Sequence, residues 1–274
     1  MATKKVDEQP DQALTSPSTS ASKSNSSRSL VAPLSYDGEA FFAAQKKSLC
    51  SVVFVHFWGG TKSSVRRHIQ FVNDLGFDAY AFQLIAYSIP PSSSPISPNG
   101  RFGVKHVYAD QITRILNEVP GRKIIYAFSN PGASAIEAIA QRNAVDISGL
   151  ILDSGPANDL SQSYDRLLES GYGVHSRAKR WLLVKTTTAF WSPKFHRDIR
   201  TDLQKFPKNF PVLSLQGWQD EITPPGDIEE NFILAPQLNR QRHVLAKAGH
   251  LTGIKDDPTQ YKQFVREFLT DFMD

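Results

Sequence analysis

Three residues, far apart in the chain, carry types that can do chemistry together: Ser129, Asp220 and His250. Ser129 ends the apolar run Lys123-Ile124-Ile125-Tyr126-Ala127-Phe128 and leads into Asn130-Pro131-Gly132. That pattern reads as a strand entering a helix directly. A serine at such a turn projects its hydroxyl beyond the sheet, toward the N–H groups at the helix start. Asp220 lies just past an apolar strand at 211–216, in the turn Gly217-Trp218-Gln219-Asp220, and His250 closes Ala248-Gly249-His250 after a strand at 241–246. An alcohol becomes a nucleophile when an imidazole takes its proton, and the imidazole needs a carboxylate to hold its tautomer and stabilise its cation. Because each of the three follows its own strand, all can meet at one edge of one sheet, where they would attack an acyl carbon.

The turn at Ser129 departs from Gly-x-Ser-x-Gly, since Ala127 stands two before and Pro131 two after. Ala127 and Gly132 are nevertheless small enough for strand and helix to approach closely. Pro131 lacks an N–H, but the first helical turn needs none, and its fixed φ suits helix initiation. The donor for a developing oxyanion is then the N–H of Asn130. Several residues compete for these roles. Asp153, at the end of the strand at 149–153, is the second choice of acid. Ser154 and Ser134 are poorer nucleophiles, standing at no strand-to-helix turn. His243 lies in a strand pattern and His68, His106, His175 and His196 in helical surroundings, where a lone histidine is ordinarily a surface or satisfied core residue.

The elements that must position this set follow from hydrophobic periodicity. Strands are expected at 51–56, 78–84, 123–129, 149–153, 211–216 and 241–246; most lack polar alternation, as strands covered on both faces do. Between them, Val104, Val107, Tyr108, Ile112, Ile115, Leu116 and Val119 form one helical stripe, and Tyr261, Phe264, Val265, Phe268, Leu269 and Phe272 form another. Asp257 and Pro258 mark the start of the latter as cap and first helical residue. The helix after Ser129 is small and apolar nearly all round, which predicts burial at the centre. Strands alternating with helices give an α/β protein with a mostly parallel sheet. Residues 156–207 interrupt the alternation with helical material, a cap insertion over the strand ends in which Trp181, Phe190 and Trp191 could wall an apolar pocket.

The turn Phe128-Ser129-Asn130-Pro131-Gly132, the Gly217 to Asp220 turn and Gly249-His250 resemble the α/β-hydrolase superfamily, over roughly Leu34 to the C-terminus. The resemblance implies a serine hydrolase, of esterase, lipase or thioesterase type, cleaving a carboxylic ester or thioester of a small-molecule acyl substrate through an acyl-enzyme. It further implies that His56-Phe57-Trp58-Gly59-Gly60, after the first long strand, supplies a second oxyanion N–H from Phe57 or Trp58, with Trp58 alternatively a wall of the acyl pocket. His56 itself is expected to brace that loop. The Phe-Ser-Asn-x-Gly elbow is similar to that of a branch described as transmembrane-protein-53-like, whose name implies membrane spans. Two other functions use the same residues: a weak or inactive hydrolase fold that binds a ligand or partner, and an acyltransferase.

Composition narrows the rest. The 274 residues, 40% apolar with 21% charged, fit one large globular domain or at most two small ones, and a net charge of +4 from 31 basic and 27 acidic residues gives no reason to expect nucleic acid as a partner. The single cysteine, Cys50, excludes an internal disulfide and reads as a packing residue. Neither His-Glu-x-x-His, nor a calcium-loop pattern, nor a glycine-rich nucleotide loop occurs, so no metal and no cofactor is expected. No apolar run approaches the ~20 residues of a membrane helix. Residues 1–30 are serine-rich without apolar periodicity, the composition of a disordered tail; it lacks a secretory signal, and Asp7, Glu8 and Asp11 disfavour a transit peptide. The expected location is cytoplasmic, organellar targeting by the tail remaining the alternative. The oligomeric state is not readable.

Overall fold

The computed structural model describes residues 34–85, 96–97 and 100–273, so the tail expected at 1–30 lies outside the described residues. The strands are β1 (Glu39–Phe41), β2 (Ser51–Val55), β3 (Asp78–Ala81), β4 (Lys123–Phe128), β5 (Ile147–Asp153), β6 (Pro211–Gly217) and β7 (Asn239–Leu245). They form one sheet in the order β1-β3-β2-β4-β5-β6-β7, parallel except for the antiparallel pair β1 and β3. Every residue of β2, β4 and β5 is buried, in keeping with their unbroken apolar runs. The edge strand β7 is only half covered.

Alternate side chains of each central strand serve opposite layers. On one face Val53, Val55, Ile125 and Ala127 pack with α2 (Val104–Glu118), α3 (Gly132–Gln141) and, from the segment 156–207, α6 (Phe195–Gln204). On the other, Val52, Phe54, Ile124, Tyr126 and Phe128 pack with α1 (Arg66–Asp74) and α9 (Pro258–Thr270); the short helices α7 (Pro225–Glu230) and α8 (Gly253–Asp256) follow β6 and β7. Cys50 belongs to the second layer, as its composition suggested. The register aligns the functional ends: Phe128 pairs with Asp153, Asp153 with Leu215, and Gly217 with Leu245, so the turns after β4, β5, β6 and β7 leave from one edge.

Two expectations need correction. The strand expected at 78–84 ends at Ala81; beyond it the backbone N–H of Gln83 goes to Tyr36 O and that of Leu84 to the His56 ring instead of to β2. Asp257 precedes Pro258 at the first position of α9 as anticipated, but its side chain makes no capping hydrogen bond. The segment 156–207 is helical throughout most of its length, with α4 (Leu160–Arg166) and α5 (Arg177–Trp191) preceding α6. Within it, Phe195, Ile199 and Leu203 of α6 are core residues, buried with Ile136 and Ile139 of α3.

The central helix α3 is buried as its sequence implies, and with it the carboxylate of Glu137. Lys105 Nζ lies 2.5 Å from Glu137 Oε2 and 3.1 Å from Asp202 Oδ2, while His106 Nδ1 is 2.8 Å from Glu137. Burial alone would raise the Glu137 carboxyl, but the His106 hydrogen bond and the Lys105 charge outweigh it and lower its pKa from 4.5 to about 2. Lys105 therefore ties α2 to α3 through Glu137 and to α6 through Asp202. Replacing a buried partner leaves the other charge uncompensated, which costs about 3–5 kcal/mol. Glu137→Gln should lose about 3 kcal/mol, the low end because Asp202 still faces Lys105, as read by urea unfolding with an unchanged m-value. A depressed carboxyl stabilises above its unfolded pKa, so the wild type should shed this contribution as pH falls from 4.5 to about 2, and the variant should lack that part of the slope.

Candidate active site

Ser129 leaves the end of β4 with φ at +55°, in the left-handed region that an L side chain occupies only when its surroundings demand it. Its N–H donates to Asp153 O at 2.8 Å, and its carbonyl accepts from Gly132 at 3.0 Å, the first bond of the helix that follows. Gly155 abuts this turn so closely that a Cβ there would lie 2.7 Å from the carbonyl carbon of Ser129. Asn130 stitches the turn to the segment after β5: its Oδ1 accepts from Ala157 N at 3.1 Å. Pro131 has φ −57°, as helix initiation requires.

The three separated residues converge. Ser129 Oγ is 3.0 Å from His250 Nε2, and His250 Nδ1 is 2.8 Å from Asp220 Oδ2. Asp220 is fully buried and well supplied: its Oδ1 accepts from the N–H groups of Ile222 and Thr223, at 2.9 and 2.8 Å. Thr223 Oγ1 completes the arrangement, 2.9 Å from Asp220 Oδ2 and 3.0 Å from His250 Nδ1. The sequence reading missed Thr223; the available signal was a threonine three residues after an acid, a spacing that turns the backbone N–H and hydroxyl back on the carboxylate. Gly217 is needed where the loop bearing His250 crosses the end of β6, since a Cβ there would meet Ala248 O at 2.5 Å.

The competing residues are placed elsewhere. Asp153 makes no bond to His250; its Oδ1 accepts from Ser154 Oγ at 2.8 Å and its Oδ2 from Tyr261 OH at 2.6 Å. Burial pushes the Asp153 carboxyl upward, partly countered by the Tyr261 and Ser154 hydrogen bonds. Tyr126 bonds in turn to Tyr261, and Ser154 Oγ accepts from Leu251 N at 3.0 Å, so this buried chain of hydroxyls supports the residue next to His250. Ser154 Oγ is thereby committed, and Ser134 is enclosed in α3. His68 packs edge-on against Phe128, Tyr126 and Tyr261; burial lowers its pKa to about 3, which keeps it neutral. His243 stacks on Phe264 at 3.8 Å. His106 belongs to the Glu137 network, and His175 and His196 are exposed.

His56 braces its loop. Nδ1 donates to Phe57 O at 2.8 Å, and Nε2 accepts from Leu84 N at 3.0 Å, an arrangement of the neutral ring that burial also favours by lowering its pKa. The N–H groups of Phe57, Trp58 and Asn130 have no acceptor among the described residues, which leaves them able to donate. Of the aromatics expected to line a pocket, Trp191 is in the core at 1% exposure, with Trp58 edge-on to it at 4.8 Å. Trp181 and Phe190 instead face solvent. A cleft of about 700 Å³ opens between residues 158–161 and the stretch 185–200; Ser129 and His250 lie outside its lining. Among the described residues no group of three or more His, Cys, Asp or Glu could hold a metal ion.

Ser129 keeps 7% of its surface, and His250 is partly open. The arrangement can carry a proton from a hydroxyl to an imidazole whose other nitrogen is held by a buried carboxylate.

No protein-family model matches the chain, and a search of curated proteins finds no match. Solved structures do resemble it. The esterase Pf2001 of Pyrococcus furiosus superposes with a TM-score of 0.60 at 16% identity, covering 88% of this chain and 94% of its own. An α/β-hydrolase enzyme from the metagenome of sediments of the Mar Chica lagoon, Morocco, gives 0.60 at 16%, covering 85% and 95%. MenH from S. aureus gives 0.56 at 15%, covering 86% and 98%.

Gly155→Ala should cost about 1–3 kcal/mol by forcing the added carbon against the Ser129 backbone, as measured by urea unfolding. Gly226→Ala, where a Cβ meets open space, is the control and should leave stability within about 0.5 kcal/mol of the wild type. Equal stabilities for the two would contradict the close approach.

With its mostly parallel sheet, helices on both faces and these structural relatives, the chain has the α/β-hydrolase fold.

Proposed function

We propose that this protein is a serine hydrolase that cleaves a carboxylic ester or thioester through an acyl-enzyme. The observation that carries the reading is the continuous relay from Ser129 Oγ to His250 at 3.0 Å and on to Asp220 at 2.8 Å. Fold alone would not support it, since unrelated functions share this architecture.

In the proposed reaction, Ser129 Oγ bonds to the acyl carbon as its proton passes to His250 Nε2. The carbonyl oxygen takes up the electron pair and becomes an oxyanion, facing the N–H of Asn130 and that of Phe57 or Trp58. Collapse of the adduct breaks the bond to the alcohol or thiol, which leaves with the proton from His250. Water then attacks the acyl-serine, giving its proton to His250, and the carboxylic acid departs as Ser129 regains the hydrogen. Asp220 stays ionised throughout; its two backbone donors fix the carboxylate so that it orients the imidazole and stabilises the imidazolium. Trp58, backed by the buried Trp191, forms one rigid side of the proposed acyl pocket. The elbow Phe128-Ser129-Asn130-Pro131-Gly132 supports placing the chain near the transmembrane-protein-53-like branch.

Intact-mass analysis after a fluorophosphonate probe tests the nucleophile. The wild type should gain one adduct and Ser129→Ala none; a well-folded wild type that stays unlabelled would overturn the reading. p-Nitrophenyl esters of increasing chain length then report the pocket. Thr223→Val keeps the shape but removes a hydroxyl touching both Asp220 and His250, and should lower kcat by roughly tenfold with little change in KM.

A further inference from the structure

We propose that α5 seats the protein on the surface of an anionic phospholipid bilayer, lying in the interface without crossing it. The helix has two faces of different fate. Arg180, Val184 and Trp191 turn inward, and Arg180 is held there by Asp165 at 2.9 Å and Glu169 at 2.7 Å. The rest of its surface leaves large apolar side chains in water: Leu182 at 58% exposure opposite the buried stripe, Trp181 at 64% on one flank, and Phe190 at 49% with Leu183 on the other, with Tyr172 exposed just before the helix. Phe102, itself exposed, lies 6.1 Å from Phe190 and extends the patch. Large apolar side chains left in water along one helix mark a surface that another phase covers.

Charge identifies that phase. The fifteen residues of α5 include no acid, and its outward cations Arg177, Lys179 and Lys185 are exposed with no partner among the described residues. A face combining Trp, Leu and Phe with lysines, whose long stems bury while their ammonium groups reach headgroups, is the pattern of an interfacial helix. Exposed Trp and Tyr suit the same level. A helix of fifteen residues falls short of the ~20 needed to span the hydrocarbon, and none in the described chain is long and apolar enough to do so. The inner face adds a link to the proposed site: Trp191 packs against Trp58, in the loop after β2 from which the proposed reaction draws its second oxyanion N–H. If the hydrolase reading holds, on which this last step alone rests, the substrate is an acyl lipid taken from that bilayer.

Vesicle co-sedimentation of the full chain tests the seat, using the Ser129→Ala protein so that no turnover is required. It should sediment with vesicles of phosphatidylcholine and phosphatidylserine at low salt, and at least tenfold less with phosphatidylcholine alone. Trp181→Asp with Leu182→Asp should reduce binding to the mixed vesicles at least tenfold, and so should Lys179→Glu with Lys185→Glu. Both pairs should melt like the parent, because the residues changed are exposed, and in the wild-type background both should keep fluorophosphonate labelling. Absence of sedimentation, binding unaffected by either pair, or light scattering showing a second copy of the chain covering the patch would each overturn the proposal. A wild type that sediments yet takes no fluorophosphonate would instead retain the seat and reject the hydrolase reading.

Discussion

The left-handed turn at Ser129 is the constraint on which the site depends. An L residue held at φ +55° costs on the order of 1–3 kcal/mol, and here the cost is met by three fixed neighbours. Asp153 O accepts the Ser129 N–H, Gly155 presses on its backbone, and α3 begins immediately beyond. Because α3 is locked to α2 and α6 by the buried Glu137 cluster, the helix side of the turn cannot drift. The 3.0 Å approach to His250 is the outcome of this confinement, since nothing in the serine side chain itself selects that position.

Beneath the turn, two buried carboxylates divide the work by their surroundings. Asp220 accepts two backbone N–H groups as well as the imidazole N–H, which fix the direction in which it holds the ring. Asp153, equally buried, is bonded to the Tyr261 and Ser154 hydroxyls, and burial raises its pKa. Its chain of hydroxyls reaches Leu251 N, beside His250, so its effect on the imidazole passes through backbone position. Ser154 and Leu251, like Ser129, have positive φ, at 57° and 60°, and strained backbone of this kind accumulates where geometry must be held. The Asp220 carboxylate thus holds the ring of His250, while the hydroxyl chain holds the backbone beside it.

The segment between β5 and β6 is equally divided. The α6 helix completes the core against α3, whereas α5 shares its inner face with Trp58 and leaves its outer face apolar. That division explains how four large apolar residues can remain outside a well-filled interior. The core already has its complement, and the surplus faces a different environment.

Local pattern was sufficient for much of the fold. Unbroken runs such as Val52 to Val55 and Ile124 to Phe128 specify strands covered on both faces, and the three- and four-residue spacing in α2 and α9 specifies their buried stripes, because period and burial are properties of adjacent residues. The serine turn, the two later turns and their chain order were legible for the same reason. Other features depend on groups brought together from distant segments. Only the folded chain bonds Asp220, not Asp153, to His250, because strand register and the Thr223 turn decide which carboxylate reaches the ring. Burial of Glu137 beside Lys105, the solvent exposure of Trp181 and the close approach of Gly155 to Ser129 likewise arise from packing between elements. Sequence determined which elements form and what chemical groups they carry; tertiary structure decided which of those groups meet, because distances across a sheet edge are set by register and packing and leave no periodic trace along the chain.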